Sequence, residues 1–241
     1  MNIANKTLLI TGANRGIGHA LVDEALRREV KRVYAGTRGA PLTAGGRVTW
    51  LTLDVTDASQ IERAAAEIET LDILINNAGI ALYDDLSNPA TLEQQFAVNV
   101  LGPARVTQAF LPQLRRAHGA IVNHVSLVGL APLPLIPGYS LTKAALLNLT
   151  QSQRALLARD GVSAHAVILG PVDTDMNRGL EIPKASPASA ARAIFDGLEN
   201  GEEEIFPDPA SRAIVEGWRS GVAKALERQF AAFVPQSKAA A

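Results

Sequence analysis

The chain has 241 residues, of which 47% are apolar, and its 23 basic and 24 acidic side chains give a formal net charge of −1. A chain of this length buries most of its apolar surface in one domain, which we expect to span residues 1–241. Because positive charge is not concentrated in any segment, nucleic acid and anionic membranes are not expected as partners. The lack of cysteine excludes disulfides, thiolate metal sites and a cysteine nucleophile.

Membrane insertion and secretion are not expected either. No apolar run approaches the roughly eighteen residues of a membrane-spanning helix, and the N-terminus lacks the basic and then apolar pattern of a signal peptide. The four histidines lack the spacing of metal ligands, so no metal site is predicted. We expect a cytoplasmic protein.

Short apolar runs alternate with helical patterns along the chain, and this predicts an α/β fold with a doubly wound, seven-stranded parallel sheet and helices on both faces. The strands are predicted at residues 7–11, 32–36, 48–53, 73–76, 120–125, 163–169 and 204–206. Helices are predicted at residues 17–26, 58–69 and 188–198, with a C-terminal helical extension at about 210–232. Asp57 and Pro187 suit the starts of the second and third helices.

A glycine-rich loop follows the first predicted strand and opens the first predicted helix. Gly12 suits the tight turn off the strand, Gly16 allows a phosphate to approach the backbone closely, and Gly18 allows the helix to pack tightly on the sheet. A helix N-terminus in this setting binds the pyrophosphate of a dinucleotide. The alternative is a strand-to-helix turn that binds nothing.

Tyr139 and Lys143 lie four residues apart in a helical pattern, so their side chains leave the same face of the helix. A phenol has an ordinary pKa of about 10, and a neighbouring ammonium group lowers it. Such a tyrosine exchanges protons with an alcohol or carbonyl oxygen. Ser126 lies thirteen residues before Tyr139, at the end of a predicted strand.

These motifs, in this order, resemble the short-chain dehydrogenase/reductase family of nicotinamide-dependent oxidoreductases, which implies a single-domain Rossmann fold. The resemblance extends from Lys6 to about Phe206. It is carried by residues 11–18, Asp54 and Val55, residues 76–79, Asn99, Ser126, Tyr139, Lys143 and residues 170–174. The chain after the last strand departs from the family pattern, so the tetramer of many relatives is not carried over.

The resemblance implies four catalytic residues. Tyr139 is the expected acid/base, and Ser126 hydrogen-bonds the substrate oxygen. Lys143 lowers the pKa of the tyrosine and holds the nicotinamide ribose, while Asn99 positions a water in a proton relay. The residues themselves leave other roles open, because Asn99 is also suited to bonding backbone groups in its helix region and Ser126 to closing a turn at its strand end.

The resemblance also implies the contacts of the cofactor. Asp54 meets the adenine amine and Val55 packs on the adenine ring. The full set of expected cofactor-binding residues is Gly12, Asn14, Arg15, Gly16, Ile17, Gly18, Thr37, Arg38, Asp54, Val55, Asn77, Ala78, Gly79, Tyr139, Lys143, Pro171, Val172 and Thr174.

The residues after the second strand select between the two nicotinamide cofactors. An acidic residue there accepts hydrogen bonds from a ribose 2′-hydroxyl, but this chain has Thr37 and Arg38. Arg38 and Arg15 suit charge-assisted bonds to a 2′-phosphate, so NADP(H) is the expected cofactor. The alternative is that both arginines are solvated loop residues.

Segments expected to surround the substrate, at residues 80–86, 128–138 and 175–187, are mainly apolar, which favours an apolar or aromatic ketone or aldehyde. The sequence therefore predicts an NADPH-dependent carbonyl reductase. Two alternatives remain open: an NADP-dependent dehydrogenase that oxidises the alcohol, and a regulatory protein that binds NADP(H) without turnover.

Two further features leave alternatives open, the role of His124 and the assembly state. In a regular strand His124 shares a face with Ser126 and approaches the substrate, and the alternative is a buried, hydrogen-bonded core histidine. Apolar residues in the helices expected around 99–114 and 139–158 suit a homodimer, with a monomer as the alternative.

Overall fold

The computed structural model describes residues 1–39 and 45–234. In this part of the chain seven strands form one sheet in the order β3-β2-β1-β4-β5-β6-β7, and every neighbouring pair is parallel. The strands are β1 (Thr7–Thr11), β2 (Arg32–Thr37), β3 (Val48–Thr52), β4 (Ile73–Asn76), β5 (Ala120–His124), β6 (Ser163–Val167) and β7 (Glu204–Ile205). The predicted doubly wound sheet is confirmed.

Helices connect the strands and follow the last one. They are α1 (Gly16–Arg27), α2 (Ala58–Glu67), α3 (Pro89–Phe96), α4 (Gly102–Ala117), α5 (Pro137–Leu157), α6 (Pro187–Glu199), α7 (Pro209–Arg212), α8 (Val215–Arg219) and α9 (Val222–Ala231). A π-helical turn, Ala97–Leu101, joins α3 to α4. Across residues 1–39 and 45–234, none of the helices combines the length and the apolar character needed to span a lipid bilayer.

Both faces of the sheet are buried, which explains the continuous apolar runs in the sequence. On one face Leu8 and Ile10 belong to the core cluster that α1 and α6 complete. On the other face Leu9 belongs to the cluster that contains Phe110 of α4. Every residue of β1 is buried, so this strand lies at the centre of the molecule.

Some predicted boundaries were wrong. β5 ends at His124 and β6 at Val167, one and two residues before the predicted ends. The predicted helical extension at 210–232 is three short helices, because the backbone leaves the helical conformation at Ile214 and again at Gly221. At Gly221 φ is −75° and ψ is 158°, an extended conformation that starts α9 in a new direction.

A buried charge cluster ties α9 to the edge of the sheet. The Lys224 ammonium, only 2% exposed, lies 2.9 Å from Glu204 Oε1, 2.9 Å from Glu227 Oε2 and 2.6 Å from Glu203 Oε2. Arg154 of α5 also pairs with Glu204, at 2.9 Å. The helix α9 is therefore attached to β7 and α5 through charged groups, while Val215 and Trp218 of α8 pack against the apolar cluster that contains Phe206.

Candidate active site

A cavity of about 490 Å³ opens beside the carboxyl ends of β1, β4 and β5. The strand order reverses between β1 and β4, which is where open α/β sheets bind ligands. Of the residues predicted for the site, its lining includes Gly12, Asn14, Arg15, Gly16, Ile17, Gly18, Thr37, Arg38, Val55, Asn77, Ala78, Gly79, Tyr139, Lys143 and Thr174.

The glycine loop has a backbone that only glycine fits without strain. Gly12 and Gly16 have φ of +64° and +55°, in the left-handed region. A Cβ at Gly12 would lie 2.9 Å from Ala78 Cα, and one at Gly18 would collide with the Gly12 carbonyl oxygen. Asn77 supports the loop from β4, because its Nδ2 donates to the carbonyl oxygens of Thr11, at 2.8 Å, and Gly12, at 3.0 Å.

The N-terminus of α1 fits a dinucleotide phosphate. Its N-cap, Arg15, is extended, with φ −157° and ψ 170°, and forms no side-chain cap to the helix within the described residues. The first N–H groups of a helix have no intrahelical partner, and the helix dipole places partial positive charge there. No acidic side chain lies in the first turn of α1. An anion is therefore the complementary ligand.

Two arginines line the cavity: Arg38 follows β2, and Arg15 precedes α1. Arg38 is exposed, and its neighbour Thr37 is 2% exposed with its Oγ1 accepting from the Gly39 N–H at 3.3 Å. Arg15 Nη1 lies 3.2 Å from Asp175 Oδ2. Asp175 itself lines the cavity, and the sequence motifs assigned it no cofactor contact.

Tyr139 and Lys143 line the cavity together, as the helical spacing predicted. Lys143 Nζ lies 5.4 Å from the centroid of the Tyr139 ring and donates to the His124 carbonyl oxygen at 2.6 Å. Burial lowers the pKa of Lys143 to about 8. It raises the pKa of Tyr139 to about 12, although a hydrogen bond with the Ser126 hydroxyl acts in the lowering direction.

The direction of the Tyr139 shift differs from the prediction that a neighbouring ammonium group brings the phenol pKa down. A phenolate loses its hydration when it is buried, and here this cost outweighs any stabilisation by nearby groups. The phenol is therefore the form of Tyr139 present at neutral pH in this structure.

Asn99 and Ser126 lie next to the cavity and are not part of its lining in the described structure. Asn99 is fully buried in the π-helical turn, and its side chain bonds both backbone groups of Ile80 and, at 3.0 Å, the Thr142 hydroxyl. Ser126 Oγ donates to the Leu169 carbonyl oxygen at 3.2 Å and accepts from the Val128 N–H at 3.4 Å. The turn contact that was the alternative for Ser126 is thus present, whereas Asn99 bonds the backbone of Ile80 after β4 and not backbone groups of its own helix region.

Three other predicted cofactor residues are also outside the lining, as far as the described residues define it: Asp54, Pro171 and Val172. Asp54 Oδ1 accepts from the N–H and hydroxyl of Thr56, so its carboxylate closes its own turn instead of facing the cavity. Val172 is buried in the core, 2% exposed.

The cavity includes Ile80, Asp175 and Met176 from the segments expected to surround the substrate, and residues that the sequence analysis did not identify: Gly39, Leu53, Val98, Val125 and Leu169. Most of them are apolar and adjoin a motif residue in sequence or follow a strand end. These residues could have been predicted from their position after buried strands, because side chains at the carboxyl ends of parallel strands converge.

His124 lines the cavity at the end of β5 and is 4% exposed. Its Nε2 is buried and has no hydrogen-bond partner among residues 1–39 and 45–234. His124 therefore lies at the site, as one expectation had it, and is buried, as the other had it. The hydrogen bond expected of a buried histidine is not formed at Nε2 within the described residues. Burial lowers the pKa of His124 to about 3, and the positive charge of Lys143 adds to the effect.

We expect His124 to make the fold sensitive to acid. Between its ordinary pKa of 6.5 and the folded-state value of about 3, the unfolded chain binds a proton that the folded chain does not. Stability therefore falls as the pH falls through this window, by at most about 1.4 kcal/mol per pH unit from this group. Urea unfolding of wild type and His124→Ile at several pH values measures the contribution; identical pH slopes would contradict it.

The strand order, the glycine loop and the cavity define a dinucleotide-binding α/β protein. A family model described as short chain dehydrogenase matches residues 6–184. The chain belongs to the short-chain dehydrogenase/reductase family. It is accordingly an oxidoreductase of a family that uses nicotinamide cofactors.

Relatives with different activities share this fold. The chain is 31% identical to the ketoacyl reductase HetN of Nostoc sp., over 85% of this chain and 79% of the relative. It is also 31% identical to a sorbitol dehydrogenase of Cereibacter sphaeroides, over 85% and 82%. The crystal structure of a short chain dehydrogenase from Burkholderia cenocepacia in complex with NADP superposes with a TM-score of 0.87, at 32% identity, over 95% of this chain and 98% of that one.

Proposed function

We propose that the protein is an NADPH-dependent reductase that converts an apolar or aromatic ketone or aldehyde to the alcohol. One observation carries this proposal: Tyr139 and Lys143 line the same cavity as the glycine loop and the two arginines, Arg15 and Arg38. One cavity thus brings together a proton donor, a loop suited to phosphate and cationic groups suited to a 2′-phosphate.

The residues that would hold the cofactor are those of the glycine loop, Asn77, Ala78 and Gly79 along the cavity wall, and Lys143, which would meet the nicotinamide ribose. When bound, the nicotinamide supplies the hydride that the substrate carbon accepts. Tyr139 donates the proton that the substrate oxygen accepts, so the carbonyl gains one hydride and one proton in total. The wall of the cavity excludes water and fixes the orientation of the carbonyl.

The protonation state of Tyr139 supports reduction over the alternative of alcohol oxidation. With the pKa of Tyr139 at about 12, the phenol starts in the form that donates a proton near pH 7. Alcohol oxidation needs the phenolate, which high pH favours. The dehydrogenase alternative is therefore expected to be the reverse reaction of the same site at alkaline pH.

Apolar side chains around the reacting end of the cavity support a substrate of apolar or aromatic character. Ile80, Val125 and Leu169 line the cavity beside Tyr139, and Met176 lies there with 50% of its surface exposed. Such a wall gains affinity from apolar surface on the ligand, while a sugar or polyanion would lose hydration without gaining polar partners.

The preference for NADP(H) rests on Arg15 and Arg38, and it is supported by the Burkholderia cenocepacia relative, which was crystallised in complex with NADP. The test is to follow the loss of reduced cofactor absorbance with NADPH and with NADH over a panel of ketones, aldehydes and diketones. Turnover with NADPH well above NADH is expected. Equal use of both cofactors would contradict the assignment of the arginines.

Arg38→Ala is expected to lower the NADPH to NADH ratio of kcat/KM by about tenfold, since one charge-assisted hydrogen bond to the 2′-phosphate is lost. The matched control is Arg32→Ala. Arg32 is an exposed arginine at the start of β2, the opposite end of that strand, where it bonds the Thr49 hydroxyl. If the NADPH to NADH ratio of kcat/KM is unchanged in Arg38→Ala, Arg38 does not bind the 2′-phosphate and is a solvated loop residue.

A non-catalytic protein that binds NADP(H) is the competing class. It would bind the cofactor and turn over no carbonyl compound, so the same panel distinguishes it from a reductase.

Exposed apolar side chains at Leu101, Leu141 and Leu156, in or beside α4 and α5, support the further expectation of a homodimer. Light scattering of the purified protein measures the mass and separates dimer from monomer.

A further inference from the structure

Asp84 connects the segment after β4 to the helix that carries Tyr139. Its Oδ1 accepts a hydrogen bond at 3.2 Å from the backbone N–H of Gly138, which is 54 residues away in sequence. Gly138 is the second residue of α5, and Tyr139 is the third. The contact therefore fixes the Pro137–Gly138 peptide, one peptide removed from the proposed acid.

The helix α5 lacks a cap of its own in the described chain. Its N-cap residue, Ile136, has no side-chain hydrogen bond to the first turn, and Pro137 follows it. The first N–H groups of a helix need partners, and partial positive charge accumulates there. The Asp84 carboxylate satisfies both needs from a distant segment, which is the role that an N-cap aspartate has locally.

Gln95 orients the carboxylate from its other side. Gln95 is fully buried in α3; its Nε2 donates to Asp84 Oδ2 at 3.1 Å, and its Oε1 accepts from the Leu82 N–H at 3.1 Å. A glutamine held at both ends of its amide has one orientation. The oxygen of Asp84 that meets Gly138 is consequently fixed by a chain of contacts from α3.

The fit at Gly138 is tight. A Cβ at this position would lie 2.8 Å from both Asp84 Oδ2 and Gln95 Nε2. Glycine is therefore required for the carboxylate to approach the first turn of α5. This close approach, together with the hydrogen bond, leaves little room for the start of the helix to move.

We propose that Asp84 is a positioning residue for Tyr139, capping α5 in trans and so holding the phenol where it protonates the substrate oxygen. The inference rests on the proposed function and extends it to a residue that does not itself line the cavity in the described structure. A displacement of about 1 Å at a reacting group is enough to cost up to a hundredfold in rate.

The test compares three variants. Asp84→Ala removes the contacts to Gly138 and Gln95 and a third from the Leu86 N–H at 3.3 Å, and Asp84→Asn keeps an oxygen for the Gly138 N–H but loses the charge and the oxygen that meets Gln95. Asp57→Ala is the matched control, because Asp57 caps α2 through the N–H groups of Ser59 and Gln60, and α2 carries no residue of the proposed site. All three are expected to fold, and the control is expected to lower the unfolding temperature without affecting turnover.

Two readouts separate positioning from stability. Asp84→Ala is expected to lower kcat by about ten- to hundredfold with the dissociation constant for NADPH unchanged, and Asp84→Asn is expected to retain more of kcat. With only three tyrosines in the chain, ¹³C labelling at the tyrosine ring carbon that bears the hydroxyl resolves Tyr139, assigned with Tyr139→Phe. Its resonance is expected to move in Asp84→Ala and to stay in Asp57→Ala.

Gly138→Ala perturbs the same contact from the helix side. It is expected to lower kcat by itself and to cost less when Asp84→Ala is already present, since the two changes share one contact. A Tyr139 resonance or a kcat that is unchanged in Asp84→Ala would overturn the proposal. If wild type turns over no carbonyl compound while the resonance moves, the proposed function fails and the capping contact stands.

Discussion

Replacing Tyr139 with phenylalanine is expected to lower kcat for carbonyl reduction by about a hundred- to ten-thousandfold, the range for loss of a general acid. The ring is retained, and it is the ring that packs beside Lys143 Nζ at 5.4 Å. The cavity should therefore keep its shape and its affinity for NADPH. Steady-state kinetics and a direct NADPH titration of the same preparation measure the two effects separately.

The matched control for this variant is Tyr34→Phe, which removes the same hydroxyl from a partly buried tyrosine of β2 that packs against the core. Its kcat is expected to equal that of wild type. Unchanged turnover in Tyr139→Phe would refute Tyr139 as the acid, and loss of NADPH binding would instead indicate that the phenol hydroxyl holds the cofactor.

Replacing Lys224 with alanine is expected to lower the free energy of unfolding by about 3 kcal/mol, because removal of one partner leaves a buried charge uncompensated. Glu204 is 5% exposed and, among residues 1–39 and 45–234, would keep Arg154 as its one close cation. Arg154 remains near Glu204 and Glu227, so the expected loss lies at the lower end of the range of about 3–5 kcal/mol for breaking a buried pair. Urea unfolding measures it.

Lys184→Ala is the comparison for Lys224→Ala. Lys184 Nζ lies 3.9 Å from Asp173 Oδ1, whose side chain is 76% exposed, and donates to the Asn177 carbonyl oxygen at 3.0 Å. An ion pair with an exposed partner contributes less than about 1 kcal/mol and one hydrogen bond to a carbonyl about 1 kcal/mol, so this variant should lose less stability than Lys224→Ala. Equal small losses in both lysine variants would show that the Lys224 cluster does not anchor α9.

Local sequence patterns were sufficient for the sheet and the phosphate loop. Each strand is a short apolar run, and β1 is buried along its whole length, so the run itself carries the information. Gly12 and Gly16 were identifiable from their spacing after the first strand. Their positive φ values show why the loop needs glycine at both positions. The spacing of Tyr139 and Lys143 likewise fixed their common helix face.

Features that depend on tertiary burial were not accessible in this way. The pKa of Tyr139 moves upward because the surrounding fold removes water from the phenol, which no i, i+4 spacing reveals. The Asp54 carboxylate closes its own turn, because the N–H and hydroxyl of Thr56 both donate to its Oδ1. The cap from Asp84 to Gly138 joins residues 54 positions apart, so no local pattern contains it.

The helix α9 shows how a charge cluster overrides hydrophobic periodicity. An apolar spacing of four residues would turn Val222, Leu226 and Phe230 toward the protein, yet they are 76%, 41% and 58% exposed. Lys224 is buried instead, because Glu203, Glu204 and Glu227 surround its ammonium group. Glu203 and Glu204 lie at β7, outside α9, so a helical pattern read within α9 alone does not contain them.

Deuterium transfer tests the central claim most directly. Wild-type protein is mixed with NADPH deuterated at both C4 positions and with the best carbonyl compound of the panel, and the product is examined by mass spectrometry. We predict an alcohol that carries one deuterium on the former carbonyl carbon, with none formed by Tyr139→Phe on the same timescale. An undeuterated product, or NADPH bound without any alcohol, would contradict a hydride-transferring reductase.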